Sequence, residues 1–347
     1  MRFAACLVAC LLLSSCVFPG SVKPTVKIGL SAPFEGLYRN LGYEVLYAVR
    51  LAVQERNAAG GVVGRYLVEL VALNDFNEPQ EAALQAYEMD VDPGVLGVIG
   101  GWSAETARQA APEYRRLGVS FLAAEGDPAE LGAEAARFAV EELGANRAAI
   151  LGSGNAGDKE LGEAFAAAFA GQGGAAIHEV SVQAALAGQP DLLFVAANAP
   201  LAAEWIVQAR EAGFDGPVVG GPGLGSPILV KIGADAVEGT FYVSPFPPLK
   251  DDPTFKDGYQ ALSGGVAPGP VAGWAYAAAV ELLDAMDAAA RGRGGLDRAA
   301  VGRALAGVPG GGLGAYMYVV RAGKVFQQRK GFRVSRVNPT EGRLCVS

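Results

Sequence analysis

The chain switches repeatedly between two hydrophobic periods, and that alternation limits the folds open to it. Val26-Lys-Ile-Gly-Leu30 alternates as a half-buried strand does. Tyr43 to Ala59 then sets Val45, Val49, Ala52 and Val53 on one helical face, and Gly60-Gly61 ends it. The exchange continues through strand Tyr66 to Leu73, helix Pro79 to Met89, strand Val95 to Ile99, helix Ser103 to Leu117 and strand Val119 to Leu122. A second series places strands at Arg147 to Leu151, Ala175 to Val182, Asp191 to Val195 and Pro217 to Val219, with helices at Asp158 to Ala170 and Pro200 to Ala212. Strands spaced by helices pair in parallel and carry helices on both faces of the sheet. Two series, with further helices at Val271 to Ala290 and Leu296 to Leu305, predict an α/β protein of two similar lobes. In such sheets ligands bind beyond the carboxyl ends of the strands. The informative residues are therefore those that follow each strand.

Length agrees with two lobes: 347 residues, 51% of them apolar, exceed what one small core needs. Acidic residues outnumber basic ones, 36 to 28. Arg291, Arg293 and Arg298 lie in a Gly-rich stretch that reads as solvated surface, so nucleic acid is not an expected partner. No segment after the first fifteen residues has the length and hydrophobicity of a membrane span; Val271 to Leu283 is interrupted by Gly273 and Glu281.

The N-terminus carries an address. Arg2 is followed by an apolar run from Phe3 to Leu13, too short to cross a bilayer as a lasting anchor, which reads as a cleaved signal. Leu13-Ser14-Ser15-Cys16 resembles the bacterial lipobox, which implies that Cys16 becomes the lipid-carrying first residue of the mature chain. Val17 to Thr25, with Pro19, Gly20, Ser21 and Pro24, would be the tether. The expected location is extracytoplasmic, anchored to a membrane through lipid. Of four cysteines only Cys16 and Cys345 outlast cleavage, so no disulfide framework is available and stability rests on core burial.

Ser31-Ala-Pro-Phe-Glu-Gly-Leu-Tyr38 follows the first strand, and Gly100-Gly-Trp-Ser-Ala-Glu-Thr-Ala107 follows the third and opens a helix. Glycine lets backbone approach a ligand, and a helix start offers free N–H groups. Trp102 adds an aromatic face that serves either a ligand or lobe packing. Gly-Leu-Ser-Ala-Pro-Phe-Glu-Gly with Leu-Gly42, Asn57-Ala-Ala-Gly-Gly-Val, Asn74-Asp75, Val98-Ile-Gly-Gly-Trp-Ser and Gln208-Ala-Arg-Glu-Ala-Gly213 stand in order. Together they resemble the type I periplasmic binding proteins of the leucine/isoleucine/valine-binding branch, from about Val26 almost to the C-terminus. The resemblance implies two Rossmann-like lobes with parallel sheets, joined at a hinge by three crossovers. It also implies closure on a small ligand handed to the permease subunits of an ABC importer. The expected partition is a signal peptide over 1–15 and a lipidated tether over 16–25. The first lobe would take 26–137 with 244–320, and the second 138–243 with 321–347.

The family's amino-acid site transfers poorly. The hydroxyl residue that holds the α-carboxylate matches Ala104, with Ser103 and Thr106 beside it. The threonine and amides after the fourth strand match Glu125-Gly126-Asp127, where carboxylates would repel an anion. The acid for the ligand's ammonium falls near Pro222, and the second-lobe aromatics fall at Asn198 and near Gly157. The first crossover is also abbreviated, because Glu130 to Phe138 runs almost directly into a helix.

Tyr38, Trp102, Ser103, Ala104, Glu105, Glu125, Gly126, Asp127, Gly157 and Asn198 are therefore the candidate ligand-binding set. Carboxylates beside aromatics suit a cation or polyol. Asp127 before Pro128 is equally a helix cap. Gly152-Ser-Gly-Asn-Ala-Gly157 matches the dinucleotide fingerprint, but sits in mid-chain of an exported protein. Gly157-Asp158-Lys159-Glu160 lacks the Ser or Thr a phosphate loop needs. His178 is the only histidine, Gly101-Trp-Ser-Ala-Glu105 misses the last glycine of a nucleophile elbow, and no His/Cys spacing suits a metal.

The expectation is a monomeric solute-binding lipoprotein with no catalytic residues, no cofactor and no metal. It would take a small amino-acid-like, amide, amine or polyol ligand, in particular a neutral-polar or cationic one rather than a free branched-chain amino acid. The alternative is a sensor or scaffold of the same fold signalling to a membrane partner, which the short crossover favours.

Overall fold

The computed structural model describes residues 23–306, 313–321 and 324–328. The expected signal, Cys16, most of the tether and Cys345 lie outside the described residues. Lys23 Nζ already donates to the Gly60 carbonyl, and Thr25 opens the first strand, so the end of the expected tether is part of a lobe.

The first sheet contains β1 (Thr25–Ala32), β2 (Leu67–Asn74), β3 (Val95–Gly100) and β4 (Ser120–Ala123), in order β2-β1-β3-β4, all parallel. Between them run α1 (Arg39–Ala58), α2 (Pro79–Asp90) and α3 (Ala104–Leu117). β3 is buried along its whole length, as the continuous run Val95 to Ile99 requires of a central parallel strand. α1 starts four residues ahead of the expected Tyr43.

α4 (Pro128–Glu141) leads into the second sheet. Its strands are β5 (Arg147–Gly152), β6 (Ala175–Glu179), β7 (Leu192–Ala196), β8 (Val218–Gly220), β9 (Phe241–Ser244), β10 (Tyr316–Arg321) and β11 (Lys324–Gln328). The order is β11-β10-β9-β8-β7-β5-β6, parallel from β6 to β9, with β10 antiparallel to both its neighbours. α5 (Ala156–Gly171), α6 (Val182–Ala187), α7 (Ala199–Glu211) and α8 (Pro227–Gly233) complete this lobe. The strand expected to reach Val182 stops at Glu179, because Ser181 accepts from the Ala184 amide and starts α6.

α9 (Pro253–Ser263), α10 (Pro270–Arg291) and α11 (Arg298–Ala306) return to the first lobe. Trp274, Leu282 and Met286 of α10 share one buried core with Ile28, Val45 and Val49.

Two boundaries differ from the expected partition. α4 belongs with the second lobe, where Leu131 and Phe138 pack with Phe165 and Phe194; burying that apolar face draws the helix across ten residues before position 138. Tyr316 to Val320, expected in the first lobe, pair instead with β9 in the larger sheet.

The crossovers meet at one place. The first is only the four residues between Ala123 and Pro128, as short as the sequence implies. A Cβ on Gly126 would lie 2.6 Å from Pro245 Cβ, and the Gly314 amide donates to the Pro245 carbonyl over 3.0 Å, so the connecting segments pack directly on one another.

Candidate ligand cleft

Strand order reverses between β1 and β3 in the first sheet and between β5 and β7 in the second. Loops leaving adjacent strands on opposite sides of such a point cannot fill the crevice between them. These are the loops that face each other across a cavity of about 560 Å³. From the first lobe come Tyr38, Trp102, Ser103, Ala104 and Glu105, with Glu125 and Gly126 from the first crossover. From the second come Asn155, Gly157, Asp158, Asn198 and the Pro222 to Gly225 turn, with Tyr242 behind. Nine of the ten expected positions therefore line one space.

Asp127 does not. Its carboxylate accepts from the Ala129 amide at 2.8 Å and caps α4 while exposed to solvent, which is the cap of its two anticipated roles. Trp102 lines the cavity but is only 9% exposed. Its Nε1–H donates to the Ser31 carbonyl at 2.7 Å, and its ring meets Trp274 edge-on at 5.7 Å. Its indole thus ties the loop after β3 to the end of β1.

Helix starts converge on the cleft with their caps in place. Ser103 and Thr106 form a capping box on α3. Asn155 accepts from the Asp158 amide, Asn198 from Leu201 and Ser226 from Ile228. Pro128, Pro200 and Pro227 each remove a donor from a first turn. Each cap satisfies, and each proline removes, one of the four first-turn donors of its helix.

The glycine fingerprint has a different use here. A Cβ on Gly157 would stand 2.6 Å from Glu105 Oε1 and 3.0 Å from Ala104 Cβ, so its bare backbone lets α3 and α5 approach across the cleft. Arg108, one turn along α3, pairs with Glu160 on α5.

The lining is acidic. Glu44, Glu78, Glu105, Glu125 and Asp158 contribute carboxylates, and no Lys or Arg lines this cavity among the described residues. Burial raises the Glu125 carboxyl, an effect that nearby Arg108 only partly offsets. Burial raises Asp158 as well, with the Glu105 charge adding to it and the Ser153 hydroxyl opposing it. Tyr38 is raised by burial and then by Asp158, Glu78 and Glu105. Glu44 is pushed up to about 7 by burial, against hydrogen bonds from the amides that begin α10. Sequence reasoning missed Glu44, although an acid on the apolar stripe between Leu41 and Val45 was a visible signal. It missed Tyr242 because β9 was not recognised as a strand. His178 sits exposed on strand β6 and does not line the cavity.

The profile of the periplasmic binding protein family matches residues 25–338. A Leu/Ile/Val-binding protein of Rhizobium johnstonii is 25% identical over 306 residues, covering 79% of this chain and 82% of that one. A Leu/Ile/Val-binding protein homologue of Brucella melitensis is 26% identical over 303 residues, covering 77% and 80%. Among solved structures, a leucine-binding protein of Thermotoga maritima superposes with a TM-score of 0.76 at 24% identity, covering 86% of this chain and 97% of that one. A branched-chain amino acid transporter substrate-binding protein of Streptococcus pneumoniae, in complex with isoleucine, gives a TM-score of 0.72 at 22% identity, with 86% and 97% covered. Both share the two-lobed α/β fold. With the match running through both lobes and all three connections, this chain belongs to the periplasmic binding protein family.

Proposed function

We propose that this chain is the extracytoplasmic solute-binding lipoprotein of an ABC importer, closing its lobes around a small polar ligand and presenting it to the permease subunits. The observation that carries the reading is the cavity of about 560 Å³ at both switch points, lined by the loops the fold reserves for ligands. Closure is a hinge motion about the packed crossovers at Gly126, Pro245 and Gly314. Ligand recognition falls to Tyr38, Trp102, Ser103, Ala104, Glu105, Glu125, Gly126, Gly157 and Asn198, with Asp127 holding the start of α4. Lipid on Cys16 keeps the monomer at the membrane.

Thermal-shift screening of the purified protein against amino acids, amides, amines and polyols tests this, since a ligand that binds the folded state raises its melting temperature by mass action. A stabilising ligand should also shrink the radius of gyration in small-angle scattering. Absence of any stabilising solute would defeat the reading. Cys16→Ser should move the protein from the membrane to the soluble fraction; retention in the membrane would remove the lipid anchor from the proposal.

The sensor or scaffold reading is favoured by one observation, the four-residue first crossover. It predicts ligand binding without delivery, which uptake measured with and without the protein distinguishes.

A further inference from the structure

We propose that the cleft is built for a small organic cation that carries no carboxylate, an amine or quaternary ammonium, seated between Glu105, Glu125 and Asp158 against the ring of Tyr38. The inference rests on the solute-binding reading and narrows it. The carboxylates of Glu105 and Glu125 are partly buried in the cavity wall and have no hydrogen-bond or ion-pair partner among the described residues. A third, Asp158, stands with them across the cleft, held by the Ser153 hydroxyl and the Asn155 amide. Arg108, whose charge acts on Glu125, gives both its terminal nitrogens to Glu160, at 3.2 and 2.8 Å. Half-buried carboxylates left unpaired repel one another and resist losing water, and a cation relieves both costs at once.

The geometry also disfavours the opposite charge. An amino acid's carboxylate would have to enter among these acids. A methyl stands at position 104, where a hydroxyl would have accompanied Ser103. Tyr38 supplies an aromatic ring, whose face attracts a cation desolvated there.

Calorimetric titration of the purified protein with 1,5-diaminopentane, choline and isoleucine tests the proposal, repeated in Glu105→Gln and Glu125→Gln. At least one of the two cations should bind, its affinity should fall at least tenfold in each variant, and isoleucine should give no heat. The empty variants should melt no lower than the parent, since each amide relieves repulsion without changing shape. Isoleucine binding with neither cation bound would overturn the cation proposal and leave the solute-binding reading standing. A cation bound equally well by both variants would also overturn it, because the charge would then be met elsewhere. If these three and the wider solute panel all fail, the solute-binding reading falls first.

Discussion

Arg108 on α3 of the first lobe forms a two-pronged ion pair with Glu160 on α5 of the second, with N–O distances of 3.2 and 2.8 Å. One turn earlier on the same helices, Glu105 meets the backbone at Gly157. Residues three apart lie on one helical face, so the two contacts form a single seam across the mouth of the cleft.

Both side chains of the pair are substantially exposed, so its worth is about 0.2–1 kcal/mol. Arg108→Glu should therefore shift the empty protein toward the open form by a few fold, read as a larger radius of gyration in small-angle scattering. The exchange Arg108→Glu with Glu160→Arg should restore the parent value. An unchanged radius in the single variant would mean that the pair does not hold the lobes together.

Gly157→Ala separates folding from closure. Alanine favours a helix interior over glycine by about 1 kcal/mol and a first turn by less, and Gly157 lies in the first turn of α5, so the melting temperature should not fall. The added methyl meets Ala104 only when the lobes approach. Ligand affinity should therefore drop about fivefold or more, the effect of ~1 kcal/mol of overpacking in the closed state. Titration calorimetry beside thermal unfolding checks both halves.

Glu44 should make stability fall as pH rises. Its carboxyl is raised from 4.5 to about 7 in the folded protein, so the fold favours its protonated form. That contribution is complete below pH 4.5 and is lost as pH climbs through 7, with a slope of at most about 1.4 kcal/mol per pH unit. Glu44→Gln keeps an acceptor for the Ala272 amide and removes the titration. Unfolding free energy plotted against pH between 4.5 and 7 should be flatter in the variant than in the parent.

Trp102 should show two grades of loss. Phenylalanine keeps an edge toward Trp274 but leaves the Ser31 carbonyl without its donor, costing about 1 kcal/mol. Alanine opens a void in the first-lobe core and costs about 3–5 kcal/mol. Denaturant unfolding of the two variants measures the difference.

Much of the architecture was legible because each signal is local. The period-two run at Val26 to Leu30, the continuous apolar run at Val95 to Ile99 and the Ser103 capping position depend only on neighbours in the chain. β9 and β10 were not legible, since they pair with each other across more than seventy residues and that pairing reflects burial against the second sheet. The partners of Glu105 and Arg108 were hidden for a similar reason. Nothing near them in the chain reveals that α5 will face α3.

The sequence by itself determined two α/β lobes, with loops enriched in ligand-binding residue types after the strands. Periodicity, helix capping and residue chemistry act over a few residues and need no partner. Tertiary structure decided that α4 and β10 serve the second lobe, that Asp127 caps while Glu105 faces the cleft, and that Gly157 lies on the seam where the lobes touch. These depend on which surfaces meet when apolar faces are buried, and that is a property of the whole chain.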